Sequence, residues 1–405
     1  MGFAWDVLGN GKTSIRGGYG MGDTFFRYGT EGSVINVPWV QSVLLLNGTL
    51  TDPPLGTPGA KTPVALSWAG PPGALRKPVI VQDWSLTVER EVLPGGVLSV
   101  AYVGSRATQL EGSRDYNFPL PVSAPSINDP NCLQSGQTIP SGGFDFDPCL
   151  NAGVVSSNFT RPLPGWASIT SFRGASDYFG KSFYNSLQTG YKYRPLAKGL
   201  TLTAAYTWSK ATQDTGAVTG SAQNPRDFRA EYGLAPQDRT HMFTSSYIYQ
   251  IPFFKKRTGP VGMALGDWTF SGITAILGGA PLTPGLAIGT AGLATRPNCI
   301  GSVAGPKSLA QWFNTSAFAA PAFGFFGNCG NGLIRGPGEN TWNWALFKTF
   351  PIGERLKVQF RSEFFNLWNH PSFSGVSTGL GSGSFGEVVS ALEARQIEFA
   401  LRVDF

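Results

Sequence analysis

Charge is what this 405-residue sequence has least of: Asp, Glu, Lys and Arg together make up 14% of it, against roughly 25% in soluble globular proteins. Long apolar runs are missing as well, the most apolar stretches being as short as Val43–Leu46. A helix needs about 18 to 20 consecutive apolar residues to cross a bilayer, so a helical membrane protein is excluded. Histidine is rare. His241 and His370 stand far apart, neither at a spacing typical of a metal site, and no cofactor or metal is expected. The four cysteines, Cys132, Cys149, Cys299 and Cys329, lack CxxC spacing and sit among Pro, Gly, Asn and Ser. That pattern reads as loop disulfides of an oxidising compartment rather than a zinc site. Each pair falls inside one candidate loop, so the expected bridges are Cys132 with Cys149 and Cys299 with Cys329. Residues Met1–Asp6 have neither the basic nor the apolar region of a secretory leader. An exported protein needs one, so the sequence reads as a fragment or as a gene with a misplaced start.

Glycine and aromatic residues are abundant, with 53 Gly and an aromatic share of 13%. Few charges and many rings suit a surface that partly faces lipid. Strands that cross a membrane alternate apolar with polar residues and so conceal their apolar character. The net charge of +6 is spread over single Lys and Arg residues, the longest basic run being Lys255–Arg257. No nucleic-acid partner is expected. The run suits a turn at an anionic lipid surface or in solvent.

Ten segments carry strand character: Lys12–Gly20, Pro78–Glu91, Gly96–Ser105, Lys181–Arg194, Gly199–Lys210, Arg239–Ile251, Gly266–Gly278, Trp342–Phe350, Arg355–Leu367 and Ala394–Phe405. Successive strand side chains point to opposite sides. Leu200, Leu202, Ala204, Tyr206 and Trp208 therefore share one face, with Thr201, Thr203, Thr207 and Ser209 on the other. In Arg355–Leu367, Leu356, Val358, Phe360 and Phe364 oppose Gln359, Arg361 and Glu363. A soluble sandwich and a membrane barrel both give this period of two. Connection lengths separate them.

Three joints are very short, Val92–Gly95, Pro195–Lys198 and Pro351–Glu354, and long connections alternate with them. Counted back from a periplasmic C-terminus, every short joint, together with Pro252–Leu265, falls on the periplasmic side and every long loop outside. Outer-membrane barrels have this asymmetry. The expected fold is all-β, a transmembrane antiparallel barrel of about ten strands. All of residues 1–405 belong to it, in the bacterial outer membrane, in contact with its lipid. Gln359, Arg361 and Glu363 are the candidate lumen-facing residues, either meeting a ligand or pairing with one another as wall residues. Aromatic residues gather at strand ends, as in the girdles at headgroup level.

Two sequences imitate nucleotide-binding motifs. Asp6–Thr13 ends like a phosphate loop, but Asp6 replaces its first glycine and a strand follows where a helix is required. A turn feeding a strand explains it better. Gly381–Gly386 fits G-x-G-x-x-G without a βαβ context and reads as a Gly/Ser-rich outer loop. A Ser–His hydrolase carried on a barrel leaves no local signature, and no G-x-S-x-G elbow occurs. No enzyme is expected.

Several segments together resemble a known family. They are Gly9-Asn-Gly-Lys-Thr13 with Ile15-Arg-Gly-Gly-Tyr-Gly20, Ala101-Tyr-Val-Gly-Ser-Arg106, Tyr206-Thr-Trp-Ser-Lys210, Asp238-Arg-Thr-His241, Arg361-Ser-Glu-Phe-Phe-Asn-Leu-Trp-Asn-His-Pro371 and Ala394–Phe405. From end to end the chain resembles the C-terminal barrel of TonB-dependent receptors, specifically the Oar-like acidobacterial type. The resemblance implies energised uptake of a ligand it does not name, through a barrel of about twenty-two strands with a plugged lumen. The plug and the segment that engages TonB would lie in an N-terminal part, so this chain, with about ten strands and no plug, is expected to be the C-terminal half. A complete small porin or structural barrel is the alternative. The alternating end, with Phe399, Leu401, Val403 and the final Phe405 on one face, resembles the signal read by the barrel-assembly machinery.

Overall fold

The computed structural model describes residues 1–24, 64–68, 77–110, 115, 118, 166–171, 178–195, 199–214, 222–254, 259–287, 295–321, 325–352 and 356–405. Its main feature is one antiparallel sheet in which each strand pairs with the next along the chain. The path runs through β1 (Gly2–Asp6), β2 (Thr13–Thr24), β3 (Val79–Leu93), β4 (Gly96–Leu110), β5 (Gly180–Tyr193), β6 (Leu200–Asp214), β7 (His241–Gln250), β8 (Thr269–Leu277), β9 (Glu339–Ile352), β10 (Leu356–Phe365) and β11 (Gln396–Asp404). A short strand, Tyr232–Leu234, adds to the end of β6. Among the described residues the sheet is open: β1 pairs only with β2, and β11 only with β10.

All ten expected strands are present, and an eleventh, β1, precedes them. It pairs in register with β2 from Gly2↔Gly18 to Asp6↔Ser14. The turn between them is tied by the Asp6 carboxylate, which accepts hydrogen bonds from the Gly9 and Gly11 amides at 3.1 and 2.7 Å. Gly9 and Gly11 have φ of 63° and 71°, a region that glycine enters without strain. The stretch that imitates a phosphate loop is thus a β-hairpin turn whose amides already hold a carboxylate.

Directly opposed residues of an antiparallel pair share a face. One face carries a lateral row of Leu86, Tyr102, Leu187 and Trp208, each opposite the next. It continues across β10 and β11 as Phe360↔Leu401, Ser362↔Phe399 and Phe364↔Ile397. Exposed apolar side chains crowd this face, among them Leu86, Tyr102, Leu187, Trp208, Phe399 and Leu401. The opposite face brings together Arg16, Glu89, Gln188, Arg361 and Glu363 with many Ser and Thr. On the apolar face, rings lie over glycines of the next strand. The indole of Trp84 covers Gly104, where an added Cβ would sit 2.2 Å from its atoms, and Phe3 covers Gly17 in the same way at 2.4 Å.

Consecutive connections of such a meander fall at opposite ends. The joints at 7–12, 94–95, 194–199, 251–268 and 353–355 share one end, and all the long connections share the other. Strands β2, β4, β6 and β9 run beyond their expected bounds at the long-loop end, to Thr24, Leu110 and Asp214 and back to Glu339. Within the joint 251–268 lies α1 (Gly259–Leu265). No described helix is long and apolar enough to cross a membrane, which says nothing about strands.

Candidate functional site

The polar face and the long-loop end are where this architecture can meet a solute. On this face an open hollow of about 460 Å³ spans β6 to β10, lined by Thr203, Ser246, Asn343 and Glu363 and also by Ile248 and Ile273, so its lining is mixed. Arg361 donates from Nη2 to Oε1 of Glu363 at 2.8 Å, and Gln359 donates from Nε2 to Oγ1 of Thr349 at 3.3 Å. The three candidate residues therefore share the polar face, and two of them pair with each other along the strand. Glu363 also lies opposite Glu398 of β11. Like charges placed so are destabilising, and the Arg361 guanidinium beside them offsets part of that.

At the long-loop end, described parts of three connections pack into one body. Its core is Phe313, Ala317, Phe318, Cys329 and Ile334 from the connection between β8 and β9, with Val376, Leu380 and Phe385 supplied by the connection between β10 and β11. Phe313, Phe318 and Phe385 meet edge to face, with centroids 5.2 to 5.7 Å apart, an arrangement that aromatic quadrupoles favour. A disulfide joins Cys299 to Cys329 within the first of these loops. Cys132 and Cys149 lie outside the described residues. Phe385 belongs to the Gly381–Gly386 stretch, which here docks on the loop core: the Trp312 amide donates to the Gly386 carbonyl at 2.7 Å.

The connection between β6 and β7 joins this body through charge. Glu231, 1% exposed, receives a forked pair of hydrogen bonds from Arg296, at 2.5 Å to Oε2 and 2.9 Å to Oε1. Asn331 Nδ2 donates to Glu231 Oε2 at 3.0 Å, and the Gln223 amide to Oε1 at 3.0 Å. Gln223 in turn accepts from the Arg296 amide at 2.9 Å and donates to the Gly327 carbonyl at 2.8 Å. Burial pushes the Glu231 carboxyl up. The hydrogen bonds from Arg296 and Asn331, the charge of Arg296 and the Gln223 amide outweigh it and hold the group below its ordinary value. A second ion pair, Arg335 with Asp238 at 2.6 Å, fastens the same two loops, and Asp238 also accepts from the Ala211 amide of β6. Sequence reasoning missed Glu231, Arg296 and Arg335 and met Asp238 only within a segment of the family resemblance, since partners separated by 65 residues or more leave no local signal.

Among the described residues no group of three His, Cys, Asp or Glu side chains is placed to hold a metal. His241 begins β7 and shares a 2.8 Å hydrogen bond with the Tyr206 hydroxyl, while the His370 amide donates to Asn366 in a loop turn.

A wide antiparallel wall, apolar on one face and polar on the other, with short turns at one end and packed loops at the other, defines a class of protein: the β-barrel of an outer membrane. The chain matches the family model described as "Outer membrane beta barrel domain" over residues 1–398 and belongs to that family, whose place is the bacterial outer membrane. Similar solved structures include the outer membrane transporter YddB from Escherichia coli, at 10% identity and a TM-score of 0.47, covering 99% of this chain and 39% of that one. The ferripyoverdine receptor of Pseudomonas aeruginosa is similar at 12% identity and a TM-score of 0.42, covering 100% and 32%. The siderophore receptor PiuA from Acinetobacter baumannii is similar at 9% and 0.42, covering 100% and 35%. The chain thus spans less than two fifths of the length of these three proteins. No curated protein matches its sequence.

Proposed function

We propose that the chain is the C-terminal part of the barrel of a TonB-dependent receptor of the Oar-like type, and that it supplies wall, lumen lining and outer loops for ligand passage rather than catalysis. The observation that carries this reading is the parity of the sheet. Among the described residues, eleven antiparallel wall strands leave β1 and β11 running in the same direction. Closing on each other would require a parallel pair, whereas an odd number of further strands closes the wall with antiparallel pairs throughout. A small complete porin, the alternative, closes with antiparallel pairs throughout only at an even count, so the eleven described strands favour the larger wall. TonB is engaged through a part of the receptor other than this wall.

In this reading the C-terminus is periplasmic, the long loops are extracellular, and Gln359, Arg361 and Glu363 face the lumen. Cysteine pairs test the closure. Trp5→Cys with Leu401→Cys, one on each edge strand, is expected to give no intramolecular cross-link in the membrane. Leu86→Cys with Tyr102→Cys, directly opposed on β3 and β4, is expected to give one. An efficient bond between positions 5 and 401 would show that the chain closes on itself.

The exposed row Phe399, Leu401, Val403 and Phe405 fits the signal that the barrel-assembly machinery reads. Deletion of Phe405 is expected to lower the amount inserted in the outer membrane, measured by surface protease digestion. Unchanged insertion would remove that role.

A further inference from the structure

The apolar face of the wall changes character toward the long-loop end. One step beyond the row of Leu86, Tyr102, Leu187 and Trp208, the residues sharing that face are Gly104, Asn185 and Lys210, each opposite the next. A further step brings Arg106, Phe183 and Thr212 into line in the same way. Arg106 on β4 and Lys210 on β6 are both exposed and flank β5 between them. The Arg106 guanidinium lies 5.4 Å from the centre of the Phe183 ring.

Among the described residues neither of these cations has an ion-pair partner, whereas Arg16, Arg361 and Arg402 on the polar face each meet a carboxylate at 2.8 or 2.9 Å. Lys181, further along the same face, already has a carboxylate beside it: its amide donates to Oδ2 of Asp214 at 3.1 Å. Asp23 of that face stands on β2, two strands beyond β4. A charge on the lipid side of a barrel is costly at mid-depth and costs little only near the interface, so Arg106 and Lys210 mark headgroup depth. A groove of about 310 Å³ adjoins them, lined by Tyr102, Asn185, Leu187, Trp208, Lys210 and Arg335 among others. Tyr102 donates from its hydroxyl to Oδ1 of Asn185 at 2.7 Å, which turns its polar end toward the long loops. Rings with an apolar body and a polar end are what the membrane interface selects.

We propose that this corner of the wall binds an acylated lipid with an anionic phosphate headgroup, drawn from the leaflet on the long-loop side. Arg106 and Lys210 hold the phosphate from either side of β5, and an acyl chain lies in the groove along Tyr102, Leu187 and Trp208. The occupant is a lipid because two unpaired cations complement an anionic headgroup and because the groove continues the lipid-facing row beneath them. A soluble anion has no use for such a groove. The inference rests on the barrel reading above.

The test places a photo-cross-linking residue in the full chain in its outer membrane, as Leu187→p-benzoylphenylalanine, with Leu401→p-benzoylphenylalanine as a control on the same face. The expected result is lipid adducts at both positions, with anionic phosphate lipid enriched at 187. Arg106→Gln and Lys210→Gln are each expected to lower that enrichment roughly fivefold, as loss of a cation near an anionic headgroup does, and to leave the adducts at 401 unchanged. Enrichment that survives both substitutions would overturn the site. Lipid adducts at 401 with protein adducts, or none, at 187 would overturn it and leave the barrel reading intact. No lipid adduct at either position would overturn both. Excess inorganic phosphate is expected to leave the adducts at 187 in place; their loss would assign the two cations to a free anion and overturn the lipid.

Discussion

Arg296→Ala should loosen the loop body while leaving the wall folded. Removing one partner of a buried ion pair costs up to about 3–5 kcal/mol, the full amount where the other charge keeps no compensation. Here Glu231 would lose both arms of the guanidinium fork at a site that is 1% exposed. Asn331 and the Gln223 amide are among the contacts that would remain, but the guanidinium fork would be gone. Hydrogen exchange is the direct readout: amides of 222–238 and 295–335 should exchange faster in the variant, with β6 to β10 unchanged. Uniform loosening, or none, would show that the pair does not hold these loops together. Acid should act in the same direction. Because the Glu231 carboxyl is held below its ordinary value of 4.5, its contribution is complete above that value. It is lost as pH falls through the depressed value of the folded state, so loop exchange should rise only in that acid window.

Leu187→Arg and Gln188→Arg are adjacent substitutions with opposite expected outcomes. Leu187 sits midway along β5 on the apolar face, opposite Tyr102 and Trp208, while Gln188 points to the polar face opposite Ala101 and Thr207. An arginine on the lipid side near the bilayer midplane costs about 2–4 kcal/mol, and one facing the lumen costs little. Urea unfolding of the membrane-inserted protein should therefore show a clear loss of stability for position 187 and almost none for 188. Equal losses would mean that the two faces are not divided between lipid and lumen.

Ten of the eleven wall strands were legible because each has to satisfy lipid on one side and water on the other, and that constraint is written at a period of two. Gly199–Lys210 shows it plainly. The strand that escaped, β1, is five residues long. Its signal is only Phe3 and Trp5 on one face, which alone cannot be told from a chance spacing. The extensions of β4 to Leu110 and β6 to Asp214 were equally silent, since 106–110 and 211–214 carry no apolar face at a period of two. The loop body was invisible for a different reason. Phe313 packs with Phe385 and Glu231 pairs with Arg296, and contacts between separate connections have no period at all. What the sequence did carry about those loops was their length, because only the side of the sheet decides whether a joint is short.

The rings laid over glycines constrain how such a wall can change over time. Trp84 can cover Gly104 only because that residue has a hydrogen where a Cβ would meet the indole, and Phe3 depends on Gly17 in the same manner. A side chain at either glycine displaces the ring, and loss of either ring uncovers backbone to lipid. These positions are therefore free to change only in couples, across a strand boundary rather than along a strand. Among divergent members of the family, substitutions at 84 and 104, or at 3 and 17, should be inherited together, and such linked pairs would reveal strand neighbours even where the alternating pattern has worn away.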